Sequence, residues 1–124
     1  MKLRMRNNSV RFRLLRAEVE KLATSGLVSE SIEFPGGGTL RYELCESNTE
    51  KSITAIFSEG LLRVLIPKTI LEDWTSSEIV GVESEIATGG AGTLSILIEK
   101  DFVCLERSDD PDNSDAYPNP ARSC

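Results

Sequence analysis

Strict alternation of apolar and polar residues, broken twice by a short stretch of helical period, constrains this chain more than any other feature of its sequence. Leu3 and Met5 alternate with Arg4 and Arg6, Asn7-Asn8-Ser9 is turn chemistry, and Val10, Phe12 and Leu14 then alternate with Arg11 and Arg13. The pattern predicts a hairpin with one apolar and one cationic face. From 16 to 25 the period changes: Val19, Leu22 and Ala23 fall at helical spacing, and Gly26 stands beyond them as a stop. Val28 to Phe34 and Thr39 to Glu46 read as strands on either side of Pro35-Gly36-Gly37-Gly38. A similar succession then returns. Ile53, Ala55 and Phe57 alternate, Glu59-Gly60 turns, and Leu62, Val64 and Ile66 form the return strand. Pro67 stands where a helix begins, followed by the helical stripe of Ile70, Leu71 and Trp74. Two last strands, over roughly 79–86 and from Thr93 to Val103, flank Thr88-Gly89-Gly90-Ala91-Gly92.

The order is ββαββ, twice. Phe12-Arg13-Leu14 falls on Leu62-Arg63-Val64 fifty positions later, and Gly38-Thr39-Leu40 on Gly92-Thr93-Leu94 fifty-four later. The expected fold class is α+β, with two tandem ββαββ units forming one mainly antiparallel, β-rich domain. A single unit cannot cover both its helix stripe and its sheet face, and a second copy supplies the cover. The alternative is another small antiparallel α+β sheet with two short helices. The domain is expected to span 1–105, with copy one at 1–47 and copy two at 52–103. Residues 106–124, polar, acidic and proline-bearing, are expected to form a partly ordered tail.

Composition narrows the function classes. The chain has 124 residues, one domain's worth, with 40% apolar and 27% charged residues. No run approaches the ~18 apolar residues of a membrane span. The first residues alternate charge with apolar side chains and offer no secretory h-region. Cys45, Cys104 and Cys124 are odd in number and far apart, so neither a disulfide framework nor a CxxC metal pair is suggested. A cytoplasmic protein with reduced thiols and no membrane partner is the expectation. There is no histidine, which removes the commonest general base, the usual activator of a serine or cysteine nucleophile, and the commonest zinc ligand. A binding protein without catalytic residues or cofactor is therefore expected over an enzyme.

Charge is segregated along the chain. Within 1–21, seven cations face only Glu18 and Glu20, while the chain as a whole carries −6. The most acidic stretch, 99–115, contains seven carboxylates against Lys100 and Arg107. Arg4, Arg6, Arg11 and Arg13 share the polar face of the first hairpin and are the candidate nucleic-acid contacts, with duplex DNA as the candidate partner. Four phosphate contacts would give only modest affinity, with a log–log salt slope of about −3.6, so a homodimer would be needed. The competing expectation is a solvated face whose arginines pair with Glu33, Glu43 or the acidic tail. Asp109, Asp110, Asp112, Asp115 and Tyr117 in that tail are candidate contacts to a protein partner, against a merely solubilising terminus. Glu83, Glu85, Glu99 and Asp101 could hold Mg²⁺ or Ca²⁺ in a metal-dependent enzyme, the most remote alternative; an exposed acidic sheet face explains the same pattern. The two glycine loops lead into strands, so hairpin connections are expected there instead of phosphate cradles.

Two resemblances follow from particular residues. Asn8-Ser9-Val10-Arg11-Phe12-Arg13-Leu14, Glu99-Lys100-Asp101-Phe102 with Cys104-Leu105, and Tyr117-Pro118-Asn119-Pro120 resemble a small bacterial family without assigned activity, over nearly the full length. Locally, Gly60-Leu61-Leu62-Arg63-Val64-Leu65-Ile66-Pro67 is similar to the lead into the helix of the swapped-hairpin unit of AbrB and MazE transition-state regulators and antitoxins. Arg6-Asn7-Asn8-Ser9-Val10 resembles the basic turn of MazE-type proteins. The first copy has Leu15-Arg16 in place of the Ile-Pro step, and the second keeps only Arg63 of the cationic face. This resemblance implies a pseudo-dimer within one chain, DNA contact through the arginine hairpin, and a toxin-like protein as the partner of the tail.

Overall fold

A computed structural model describes residues 1–102 together with 117 and 118. Its elements follow in the order β1 (Lys2–Arg6), β2 (Ser9–Leu14), α1 (Arg16–Ser25), β3 (Leu27–Glu33), β4 (Thr39–Ser47), β5 (Thr54–Ser58), β6 (Leu61–Pro67), α2 (Lys68–Ser76), β7 (Gly81–Ala87) and β8 (Thr93–Lys100). The fold is α+β: two helices and two four-stranded mixed sheets, ordered β1-β2-β8-β7 and β3-β4-β6-β5.

Each sheet joins two antiparallel hairpins of distant origin. The β1–β2 hairpin lies beside β7–β8, and the β3–β4 hairpin beside β5–β6. The joins are parallel, Phe12 opposite Ile98 in one sheet and Leu44 opposite Val64 in the other. Among the described residues four of the six strand pairings are antiparallel, as alternation leads one to expect, and the two parallel joins are what it does not indicate. Turns between neighbouring strands are visible in a sequence, whereas a side-by-side meeting of two finished hairpins leaves no local mark.

Turn geometry also corrects the superposition drawn from side-chain similarity. Asn7 and Glu59 each open a two-residue turn with φ of 51°, and they stand fifty-two positions apart, not fifty. Phe12 therefore corresponds to Val64, and Arg11 to Arg63. The later hairpins keep the spacing of fifty-four, since Glu33 pairs with Thr39 and Ala87 with Thr93. A two-residue slip preserves which face each side chain occupies, so the hydrophobic pattern could not decide between the two overlays.

Phe12, Leu14, Leu44, Val64, Ile66, Ile96 and Ile98 form the buried centre, all with 1% exposure or less. Each helix closes this core with two side chains one turn apart: Val19 and Leu22 from α1, Leu71 and Trp74 from α2. Each fully buried aliphatic side chain contributes about 1.5–3 kcal/mol. α1 ends at Gly26, whose N–H still reaches Leu22 O at 2.9 Å and whose φ of 77° turns the chain out of the helix toward β3.

Gly60 meets a stricter demand. Its φ is 76°, and a Cβ there would lie 2.6 Å from the Thr39 carbonyl oxygen, across the join of two hairpins. Gly60→Ala is expected to cost about 1–3 kcal/mol, read from the urea midpoint. Gly89→Ala provides the control: its φ is 88° but nothing lies within 4 Å of the added carbon, so the loss should be the smaller of the two. Equal losses would mean that the close approach to Thr39 is irrelevant.

Candidate functional site

Alternation along β1 and β2 turns Leu3, Val10, Phe12 and Leu14 toward the core, and so puts Lys2, Arg4, Arg6, Arg11 and Arg13 on the outer face. Register brings these cations together, with Lys2 opposite Arg13 and Arg4 opposite Arg11. The four predicted arginines thus share one surface. Arg4 and Arg6, on the edge strand, are exposed and engaged in interactions of their own. Arg11 and Arg13, one strand in, are half-buried.

Glu99 organises the inner pair. Parallel pairing sets it directly opposite Arg13. Its Oε1 accepts from Arg11 Nε at 2.7 Å and from Arg13 Nε at 2.8 Å, and its side chain keeps only 13% exposure. Asp101, just past β8, pairs with Lys2 at 3.0 Å. Beyond β8 the sign reverses, because the exposed Glu83 and Glu85 lie opposite Leu97 and Ser95 on that face. The outer surface of this sheet is divided: cations on β1 and β2, carboxylates on β7 and β8. A shallow depression of about 530 Å³ crosses the divide, with Arg11 on one side, Glu83 and Glu85 on the other, and Ser9 and Ser95 in its lining.

The expected partners of the arginines were Glu33, Glu43 and the tail. Glu43, which lies in the β3-β4-β6-β5 sheet, instead accepts from Arg63 directly opposite it on the neighbouring strand. The sequence pattern offers Glu99 as a metal ligand with Glu83, Glu85 and Asp101. Two of those four carboxylates are taken by cations, and among the described residues no group of three or more His, Cys, Asp or Glu is gathered tightly enough for an ion. Asp109, Asp110, Asp112 and Asp115 lie outside the described residues; Tyr117 is 97% exposed. Both glycine loops close hairpins, with Phe34 N donating to Gly38 O and Thr88 N to Gly92 O.

A second polar cluster gathers around the start of the chain. The α-ammonium of Met1 is buried against the carboxylates of Glu18 on α1 and Glu30 on β3. The other Glu18 oxygen accepts from Leu15 N at 2.8 Å, tying the start of α1 into the cluster. Tyr42 donates its hydroxyl to Glu30 at 2.9 Å. Burial by itself lowers the ammonium's pKa, but hydrogen bonds and charge from Glu18 and Glu30 outweigh it and hold the pKa above 8.0. Burial alone would raise Glu30; the ammonium and the Tyr42 hydroxyl reverse this and bring it below the usual carboxylate value. The glutamate three residues after Leu15 was the one local signal available for Glu18.

No helix among the described residues is long and apolar enough to cross a membrane. Residues 1–121 match the model of DUF7009, a family of unknown function, and the chain belongs to that family. No curated protein and no solved structure matches the chain.

Proposed function

We propose that this member of the family is a non-enzymatic binding protein, that its working surface is the charge-divided outer face of the first sheet, and that its partner is a protein. The observation that carries this reading is Glu99 accepting from both Arg11 and Arg13. A polyanion would have to draw two guanidinium groups off that carboxylate while lying close to Glu83 and Glu85. A folded protein with patches of both signs meets no such penalty, and complementary charge steers its approach.

The test is capture of partners by the immobilised full-length chain under native conditions. Partners held by the wild type should be lost in Arg4→Glu/Arg6→Glu and lost again in Glu83→Lys/Glu85→Lys, because both signs take part. Recovery unchanged in either variant overturns the reading. A chain ending at Arg107 separates the sheet face from the acidic tail. Loss of the partner on that truncation would move binding to the segment of Asp109, Asp110, Asp112, Asp115 and Tyr117.

The second reading is a DNA-binding regulator or antitoxin-like protein, built as an AbrB/MazE-like pseudo-dimer of two ββαββ units. It is favoured by the gathering of five cations on one face and by the pairing of hairpins from halves related by spacings of fifty-two and then fifty-four residues. A duplex-DNA titration decides between the two. At about 50 mM salt, no binding by the wild type is the expected result, with measurable binding gained in Glu99→Ala as the two arginines are released. Wild-type binding at that salt, abolished by Arg4→Glu with Arg13→Glu, would establish the nucleic-acid reading instead.

A further inference from the structure

Among the described residues the two four-stranded sheets have four edges, β1, β3, β5 and β7. An unpaired edge presents backbone donors and acceptors to any other strand, and charged side chains are the usual protection. Three of the four are protected in this way: β1 by Lys2, Arg4 and Arg6, β3 by Glu30 and Glu33, β7 by Glu83 and Glu85. β5, with the sequence Thr-Ala-Ile-Phe-Ser, has no charge, no proline and no glycine. Ile56 and Phe57 on it are 53% and 68% exposed. The comparison with β1 is direct, since the turn spacing of fifty-two sets Arg4 against Ile56 and Lys2 against Thr54. Where one first hairpin carries a cation at every outward position of its edge, the other carries none.

We propose that β5 is the edge through which two copies of this chain associate, antiparallel about a twofold axis at Ile56. The strand is matched to itself in this register. Ile56 meets Ile56 of the second copy, the small Ala55 meets the large Phe57, and Thr54 meets Ser58, a hydroxyl pair of the kind that supports adjacent strands. No like charges are opposed. The same operation on β1, β3 or β7 would set identical charges near one another. The contact is isologous and uses up the edge that forms it, so association stops at two copies. The product is a continuous eight-stranded sheet with Ile56 covered on its outer surface and Phe57 on its inner one.

The experiment is sedimentation equilibrium of the full-length chain from micromolar to submillimolar concentration, beside far-UV circular dichroism and a urea midpoint for each variant. The wild type should approach twice its 13.6 kDa mass as concentration rises. Ile56→Lys and Ile56→Glu each change a side chain that is already exposed. Each should keep the spectrum and midpoint of the folded chain while weakening the dimer about a hundredfold, through like-charge opposition and lost apolar burial. Mixing the two variants should restore a salt-sensitive heterodimer, because the twofold register brings the lysine to the glutamate. A wild type that stays monomeric throughout the range overturns the proposal. So does a dimer indifferent to Ile56→Lys, or a mixture that associates no better than its components.

Discussion

Trp74→Ala is expected to destabilise the protein by about 3–5 kcal/mol, a large part of the 5–15 kcal/mol available to a domain of this size. Trp74 is fully buried on α2, at the position where α1 carries Leu22, and it is the largest side chain in the core. Its removal opens a cavity on the helix that closes the core beside β6 and β7. A polar interaction goes with it, because the indole Nε1–H donates to Val80 O at 3.1 Å and fixes the approach to β7. Lys100 lies over the ring at 5.8 Å while its ammonium donates to Ser77 O, so one side chain secures both the helix and the segment after it. Trp74→Phe keeps much of the volume and loses the hydrogen bond, and should cost less than half as much. Urea unfolding followed by far-UV circular dichroism measures both. A loss below about 1 kcal/mol for the alanine variant would mean that α2 is dispensable to the core.

Blocking the α-ammonium of Met1, by acetylation or by one glycine placed ahead of it, should lower the melting temperature and flatten its dependence on pH. The ammonium's folded pKa is raised above its unfolded value, so its contribution is fully present below the unfolded value and is lost as pH rises through the folded one. Tyr42 acts in the same direction, since burial first and then the Glu30 carboxylate raise its phenol above 10.0. Glu30 acts in the opposite direction: its folded pKa is lowered, so its contribution is present above the unfolded carboxylate value and is lost as pH falls through the folded one. Melting temperature against pH should therefore show a plateau bounded on both sides. In the blocked chain the alkaline fall that belongs to the ammonium should disappear, and the fall contributed by Tyr42 should persist. A blocked chain with an unchanged alkaline limb would exclude the cluster as a source of stability.

Elements of this fold were readable from the sequence where they depend on neighbours in the chain. Alternation in Val10, Phe12 and Leu14 gave β2, the period change at Val19 and Leu22 gave α1, and the two glycine loops closed the hairpins expected of them. What could not be read depends on remote pairing. Arg13 and Glu99 are eighty-six residues apart and meet only because β2 and β8 are parallel neighbours. With that pairing unknown, Glu99 stood beside Asp101 as one more acidic residue, and Glu43 looked as suitable a partner as any. The Met1 cluster was hidden for a similar reason, since its groups come from the chain start, α1, β3 and β4. Alternation places the four arginines on one shared face, but it gives no sign of the carboxylate that holds two of them.

The joining of distant hairpins also governs the order in which this protein can form during synthesis. When residues 1–47 have emerged from a ribosome, both of their hairpins can close, yet β2 and β4 each lack the neighbour that completes a sheet. For β4 that neighbour, β6, arrives by Pro67; for β2 it is β8, which is not finished until Lys100. The cationic strands wait longest for the carboxylate that ties Arg11 and Arg13. Everything through Lys100 must therefore be made before the β1-β2-β8-β7 sheet can assemble, and such long-range closure marks a slow-folding topology that leaves strand edges open to aggregation meanwhile.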